Sequence, residues 1–146
     1  MSEKRKLRRQ SRRLALETLF YYLGREGKTP IKECFQFVLK KVQERKEDEF
    51  AWEILQTAIE NMGKAKVIIR AFAPEFTFEK IAPINRALLV LGVCEMKFME
   101  TPPVVVINEY IELAKIYGED KSASLINGVL DNYRKSLGLS REKKDS

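Results

Sequence analysis

Apolar residues recur every three or four positions in each segment of this chain longer than ten residues, and no alternation of apolar and polar residues lasts long enough to form a strand. In the clearest case the apolar positions are 4, 3, 4, 3, 4 and 3 residues apart, at Ala51, Leu55, Ala58, Met62, Ala65, Ile69 and Phe72. This spacing places one apolar stripe along a helix. The chain is therefore predicted to be all-α.

The same period predicts six or seven helices, over about residues 7–23, 31–42, 50–72, 84–99, 103–117 and 122–137, with a short helical turn near 77–81. Residues 104–107 have strand propensity, but the two prolines before them suit a helix start and the helical spacing continues to Tyr117. Gly92 lies inside an almost wholly apolar helix, where it weakens helix formation. We therefore expect two helices to cross closely at Gly92.

The expected architecture is a single domain over residues 1–146, in which two three-helix sub-bundles share one core. The sub-bundles are predicted over 7–72 and 84–137, with 73–83 as their connection. Residues 1–6 and 138–146 are polar and are expected to be flexible.

The composition excludes most enzymatic chemistry. The chain has no histidine, which removes histidine-dependent nucleophiles and histidine metal sites, and its seven glycines form no phosphate-binding loop. Cys34 and Cys94 lie in apolar helical patterns and are predicted to be buried free thiols of a reducing compartment. No apolar run is long enough to span a membrane. We therefore expect a cytoplasmic, non-catalytic protein without cofactor, metal or membrane partner.

Positive charge is concentrated at the start of the chain. The first thirteen residues contain seven basic side chains and one acid, for a net charge of +6, and the whole chain also carries +6. A balanced body with a basic arm is an arrangement for meeting a polyanion. The predicted RNA contacts in the arm are Arg8, Arg9, Arg12 and Arg13, whose i,i+4 spacing forms a cationic face on a helix.

Three aromatic residues follow the arm, and unstacked bases of single-stranded RNA stack on such rings. Helical spacing predicts that Phe20 faces the core, so Tyr21 and Tyr22 are the better candidates on physical grounds. Two other interpretations of the arm stay open. It could be a solvated tail that aids solubility, or it could bind acidic protein as part of a helical adaptor.

The C-terminal half carries a more specific pattern. It resembles the NusB family of transcription antitermination and ribosomal RNA processing factors. The matching residues are Thr101, Pro102, Val105, Ile107, Asn108, Glu109, Glu112, Leu113, Ala114, Lys115, Tyr117, Gly118, Asn127, Gly128, Val129, Leu130 and Asp131. The segment Asn85-Arg86-Ala87-Leu88-Leu89 and Glu95 resemble the central helix of the family, and the arginine-rich start followed by LALETLFYY resembles its N-terminal helix. The resemblance covers essentially the whole chain.

The resemblance implies a non-enzymatic RNA-binding factor. Such a factor pairs with the ribosomal protein NusE, binds the single-stranded boxA element of nascent ribosomal RNA, and assembles with NusA, NusG and RNA polymerase. By the same resemblance, Phe20 stands where a functional aromatic residue is often found, and Asn85 lies near the RNA and partner surface.

Lys121 and Ser122 complete the predicted RNA-binding set. They lie at the start of the last helix, whose backbone N–H groups can receive an anion. The chain has Ser124-Leu125 where the family usually has a basic–aromatic pair, so Lys121 would supply the cation there. NusB-like bundles also occur as RNA-binding parts of ribosomal RNA methyltransferases. This chain, which has no glycine-rich cofactor loop, is not expected to be such an enzyme by itself.

Overall fold

In the computed structural model, residues 2–42, 48–73 and 78–138 are described, and within these ranges the chain forms seven α-helices and one 3-10 turn, with no strand. The helices are α1 (Glu3–Gly24), α2 (Ile31–Val42), α3 (Glu49–Glu60), α4 (Met62–Phe72), α5 (Pro83–Phe98), α6 (Pro103–Tyr117) and α7 (Ser122–Ser136), with the 3-10 turn at Phe78–Lys80. The all-α prediction is confirmed, including helix rather than strand over 104–107. Of the predicted flexible tail 138–146, residues 139–146 lie outside the described ranges.

The first helix begins four residues earlier than the sequence predicted. The hydroxyl of Ser2 accepts a hydrogen bond from the backbone N–H of Arg5 at 3.1 Å, and Glu3 places an acid in the first turn. Both features stabilise a helix N-terminus. The segment expected to be flexible, 1–6, is therefore helical from Glu3 onward, and it projects the arm as a continuation of α1.

The predicted single helix over 50–72 is two helices that meet at Asn61. The amide nitrogen of Asn61 donates to the carbonyl of Thr57 at 2.8 Å, and its backbone, at φ −119° and ψ 19°, leaves the helical region. Asparagine favours such helix ends because its side chain competes for backbone hydrogen bonds. The apolar stripe continues on both sides of Asn61, which is why the spacing alone does not reveal the break.

The packing places α4 with the second group of helices. It lies mainly against α5 and α7, whereas α1 packs on α2, α3 and α5. The division between the two groups thus falls near Asn61, before the predicted connection 73–83. Helix α5 contacts α1, α3, α4, α6 and α7, and its residues 87–96 are all buried. Helix α5 is therefore the centre of the core that both groups share, because a helix with apolar residues on all sides must be covered on all sides.

Two details of the core agree with the sequence. A Cβ atom at Gly92 would lie 2.9 Å from Cδ1 of Leu130, so α5 and α7 approach closely there. Cys34 and Cys94 are buried free thiols, and burial raises the pKa of Cys94 to about 12.

Among the described residues, no helix is both long and apolar enough to cross a membrane.

Candidate nucleic-acid interface

The four predicted RNA-binding arginines of α1 face in different directions. Arg12 is only 2% exposed, and its guanidinium forms a two-point ion pair with Glu95 of α5, with Nε–Oε1 at 2.9 Å and Nη2–Oε2 at 2.5 Å. The hydroxyl of Tyr110, on α6, donates to the same carboxylate at 2.8 Å. The prediction that Arg12 belongs to an outward cationic face is therefore wrong, because its side chain is enclosed by three helices.

Arg9 is also held by an acid, although it stays at the surface. Its Nε and Nη2 atoms donate to the two carboxylate oxygens of Glu109 at 3.0 and 2.7 Å. The side chain of Arg9 is 35% exposed and that of Glu109 is 2% exposed. Nη1 of Arg12 lies 3.8 Å from the same carboxylate. The two arginines and two glutamates thus form one ionic network between α1, α5 and α6.

The network shifts the titration of its members. The hydrogen bond from Arg9 to Glu109 raises the pKa of Arg9 above its ordinary value. Burial alone would raise the pKa of Glu109, but the hydrogen bond from Arg9 and the charges of Arg9, Arg12 and Arg5 hold it below its ordinary value. Burial and the neighbouring Glu95 raise the pKa of Tyr110. All three groups therefore keep their hydrogen-bonding forms at neutral pH.

Arg8 and Arg13 are differently placed, because each lies beside an aromatic ring. The guanidinium of Arg8 lies 4.4 Å from the ring centre of Phe50, and that of Arg13 lies 5.9 Å from the ring centre of Tyr117. Arg13 also donates from Nε to the hydroxyl of Tyr117 at 3.3 Å, and its side chain is exposed. A cation–π contact does not neutralise a guanidinium, since the ring carries no net charge. The two ring contacts therefore leave the charges of these guanidiniums in place, and the side chain of Arg13 is exposed to solvent.

A depression of about 400 Å³ lies between the start of α1 and the start of α6. Lys4, Arg5 and Arg8 line it on one side together with the buried Arg12, and residues 101, 102, 104, 105 and 108 line the other. The start of α6 offers few backbone donors, because Pro102 and Pro103 carry no N–H and the N–H groups of Val105 and Val106 donate to the carbonyl of Pro102 at 3.0 and 3.1 Å. The basic side chains of α1 are therefore what makes this space suit a phosphate group.

The aromatic residues are placed differently from the physical prediction. Phe20 was expected to face the core, but it is 44% exposed. The ring of Tyr21 stacks on Phe37 with centres 4.7 Å apart, and Tyr22 packs beside the turn at Gly27. Phe20 and Tyr21 line an apolar groove of about 820 Å³ between α1, α2 and the start of α5. Of the three predicted aromatics, Phe20 is the most accessible to a base.

Asn85, Lys121 and Ser122 lie together in a second depression, of about 320 Å³, formed by the starts of α5 and α7. Lys121 is exposed, whereas Ser122 is buried and its hydroxyl accepts from the backbone N–H of Glu119 at 2.9 Å. The backbone N–H of Ser122 also donates to the carbonyl of Glu119 at 3.0 Å, so both the side chain and the backbone of Ser122 close the turn before α7. The amide oxygen of Asn85 is buried without a hydrogen-bond partner.

Arg13, Phe20 and Lys121 lie along one connected surface. The second depression shares Ala82 and Glu119 with the apolar groove, and the groove in turn includes Tyr117, the ring beside Arg13. A strand lying along this surface would pass from Arg13 to Phe20 and then to Lys121. The depression beside Arg8 shares no lining residue with this surface.

Sequence reasoning missed the acids that hold the arm. Glu95 lies in the most apolar segment of the chain, between Cys94 and Met96, and Glu109 follows an apolar run. An acid inside an apolar helix requires a buried partner, since a buried charge is costly unless it is paired. That signal predicts that some arginines are internal, but it does not say which ones.

The fold and this surface define a class of protein, namely an all-helical two-group bundle whose basic first helix borders an exposed aromatic groove. Comparison with known proteins gives the family. The model of the NusB family matches residues 9–135. The transcription antitermination protein NusB of Helicobacter hepaticus is 35% identical over 142 residues, which span 94% of this chain and 88% of that protein. The protein of the same name from Nitratiruptor sp. is 33% identical, over 93% and 97% of the two chains. The chain belongs to the NusB family.

A solved structure supports this assignment. The crystal structure of the antitermination factors NusB and NusE in complex with dsRNA contains a chain that superimposes with a TM-score of 0.81 at 25% identity, covering 90% of this chain and 98% of that one. The helical arrangement described above is therefore that of the family.

Proposed function

We propose that this protein is an RNA-binding transcription antitermination factor, which binds boxA-like single-stranded RNA of nascent ribosomal transcripts together with a NusE-type ribosomal protein. The observation that carries the proposal is the convergence of Lys4, Arg5 and Arg8 on one depression beside the start of α6. Because the chain outside its first thirteen residues has no net charge, this surface is its main attraction for a polyanion.

Phe20 and Lys121 extend the proposed RNA path beyond the arm. Phosphate contacts position a strand but carry no sequence information, so preference for particular bases requires other groups. The exposed ring of Phe20 can stack on an unpaired base, and the polar groups around Asn85 and Lys121 can reach base edges. Arg12 is removed from the proposed contacts because it is buried, and the hydroxyl of Ser122 is removed because it is engaged in the turn.

The proposed role is binding, without catalysis or cofactor. The protein would work in the cytoplasm, where nascent transcripts and ribosomal proteins are found. Assembly with NusA, NusG and RNA polymerase is the further part of the proposal, and it rests on membership in the family rather than on a surface of this chain. A helical adaptor that binds only protein is the competing function.

The test is fluorescence anisotropy with a boxA-like RNA and a scrambled RNA, each with and without the NusE-type protein. Tighter binding to the boxA-like RNA, strengthened by the partner, supports the proposal. Equal and weak binding to both RNAs would instead favour the adaptor.

A variant set tests the arm directly. With about four phosphate contacts and about 0.7 per contact, the slope of log K against log salt is expected near −2.8. Changing Lys4, Arg5, Arg8 and Arg13 together to Gln should remove most of that slope. The matched control changes four exposed cations elsewhere to Gln, namely Lys32, Lys40, Lys64 and Lys97. This control lowers the net charge equally and should keep the slope. Equal losses in both variants would contradict a localised arm site.

A further inference from the structure

We propose that Glu109 limits the positive charge that α1 presents to RNA, because it holds Arg9 in an ion pair that a phosphate does not replace. The inference rests on the proposed function, since it concerns the strength of the same RNA surface. It assigns Glu109 a role in setting affinity rather than in contacting RNA.

The geometry of the pair carries the first step. Arg9 uses one full edge of its guanidinium, Nε and Nη2, on both oxygens of Glu109, at 3.0 and 2.7 Å. Bidentate pairs of this kind are the strongest charge-assisted hydrogen bonds between side chains. The remaining edge of Arg9 faces solvent, because the side chain is 35% exposed. A phosphate approaching that edge meets a guanidinium whose positive charge is already balanced by the carboxylate of Glu109 on its other edge.

Burial of the carboxylate carries the second step. Glu109 is 2% exposed, and after Arg9 its next cation is Nη1 of Arg12 at 3.8 Å, which already serves Glu95 through its other nitrogens. Transferring Arg9 from Glu109 to a phosphate would leave a buried carboxylate without a close partner, and that state is costly. A contact between Arg9 and the phosphate of a flexible, solvated strand does not compensate for that cost. Arg9 therefore stays with Glu109, in contrast to Arg8, which lies over the uncharged ring of Phe50.

Glu109→Gln should release this restraint. The amide keeps one acceptor oxygen, but its NH₂ group would face a donor of Arg9, so the two-point pair cannot form. The side chain also loses its negative charge beside Arg5, Arg9 and Arg12, whose charges all act on Glu109. Arg9 then becomes an additional phosphate contact. One added contact steepens the slope of log K against log salt by about 0.7. The affinity of Glu109→Gln relative to the unchanged protein should therefore rise about fivefold when the salt concentration is lowered from 1 M to 0.1 M.

The experiment is a double-mutant cycle, read as salt dependence of binding to a boxA-like RNA. Its members are the unchanged protein, Glu109→Gln, Arg9→Gln and the double variant. We expect a steeper slope for Glu109→Gln, an unchanged slope for Arg9→Gln, and a return to the original slope in the double variant. Glu112→Gln is the matched control. Glu112 lies one turn further along α6, is 49% exposed and pairs with Lys115. It makes the same change in charge, but Glu112 acts on Arg9 only through its charge and not through a hydrogen bond, so its loss leaves the two-point pair with Glu109 and should leave the slope unaltered.

Each result decides the question. An unchanged or flatter slope in Glu109→Gln, or an equal gain in Glu112→Gln, overturns the inference. If Glu109→Gln does not fold, as judged by circular dichroism, Arg9→Gln alone still decides. A slope lowered by about 0.7 would show that Arg9 already contacts phosphate. The proposed function fails differently, because in that case the unchanged protein shows neither preference for the boxA-like RNA nor salt-dependent binding.

Discussion

The guanidinium of Arg12 and the carboxylate of Glu95 form an ion pair between α1 and α5 that is closed to solvent, with side-chain exposures of 2% and 0%. Tyr110 of α6 donates to the same carboxylate. Three helices therefore meet at one acid, and the orientation of the basic helix α1 is set from within the core. The outward position of Arg13 follows from that orientation, since it directly follows Arg12 on the same helix, whereas Arg8 lies on the side of Arg12 and is half-buried beside Phe50.

Arg12→Ala is expected to destabilise the fold by about 3–5 kcal/mol, because it leaves the buried carboxylate of Glu95 without its cation. Urea unfolding followed by circular dichroism gives the free energy of unfolding. The control is Arg13→Ala, an exposed arginine one position along, for which a change within about 0.5 kcal/mol is expected. Similar losses in both variants would mean that the ion pair is not what anchors α1.

Replacing Arg12, Glu95 and Tyr110 together by apolar residues should lower the free energy of unfolding far less than removing Arg12 alone. The triple variant Arg12→Met, Glu95→Leu and Tyr110→Phe leaves no unpaired polar atom among these three positions. Apolar replacements of buried ion pairs are often neutral or stabilising. Its free energy of unfolding should therefore exceed that of Arg12→Ala by at least about 2 kcal/mol. A triple variant as unstable as Arg12→Ala would show that the fold requires the charges themselves.

Stability should fall in acid partly through Glu109. Its pKa in the folded state lies below the ordinary value of 4.5, because the hydrogen bond and charge of Arg9 outweigh the effect of burial. Above a pH of about 4.5 this carboxylate is ionised in both states and its stabilisation of the fold is complete. As the pH falls below that value, Glu109 takes up a proton first in the unfolded chain, and the stabilisation is lost progressively until the folded protein is protonated as well. The difference in unfolding free energy between the unchanged protein and Glu109→Gln should shrink from pH 6 toward pH 3, a range of about three units around that value. A constant difference across this range would contradict the prediction.

The arm shows where sequence reasoning ends. Spacing identifies α1 and its cationic rows, but Arg8 and Arg12 share one row, as do Arg9 and Arg13, and in each row one member pairs with an acid of α5 or α6. These acids are 83 and 100 residues away along the chain. Periodicity describes neighbours on one helix and has no information about which distant element covers it. Which arginines are internal is a tertiary property.

The core was more predictable than the helix ends. Helix α5 is apolar on all sides, so it can bury its surface only at the centre of the bundle. Gly92 has no side chain, which allows Leu130 of α7 to pack close to the backbone of α5 there. The break at Asn61 was not predicted, because the apolar stripe of α3 and α4 keeps its spacing across it. Helical spacing also did not predict the exposure of Phe20, since one apolar residue more or less on a stripe does not change the helical period, whereas the family resemblance did mark Phe20 as a functional position.

Two glycines should respond oppositely to alanine. Gly63 lies in the first turn of α4, where an added methyl group would have open space within 4 Å, so Gly63→Ala should stabilise the protein by about 0.5–1 kcal/mol through helix propensity. At Gly92 the methyl group would lie 2.9 Å from the buried Leu130, and overpacking of about 1–3 kcal/mol offsets that gain. Thermal unfolding of both variants provides the measurement. A Gly92→Ala protein as stabilised as Gly63→Ala would show that α5 and α7 can separate without cost.

Phe20→Ala should weaken RNA binding while leaving the fold intact. The ring is 44% exposed, so its loss removes little from the core, but stacking of a base on an aromatic side chain contributes about 1–3 kcal/mol to binding. Phe37→Ala is the matched control, because Phe37 is 49% exposed and lines the same groove, yet one face of its ring is covered by Tyr21. Anisotropy with the boxA-like RNA should separate them, with a loss of affinity in Phe20→Ala alone. An equal loss in both variants would mean that the groove receives a larger apolar partner, and no loss in either would take the RNA path away from Phe20.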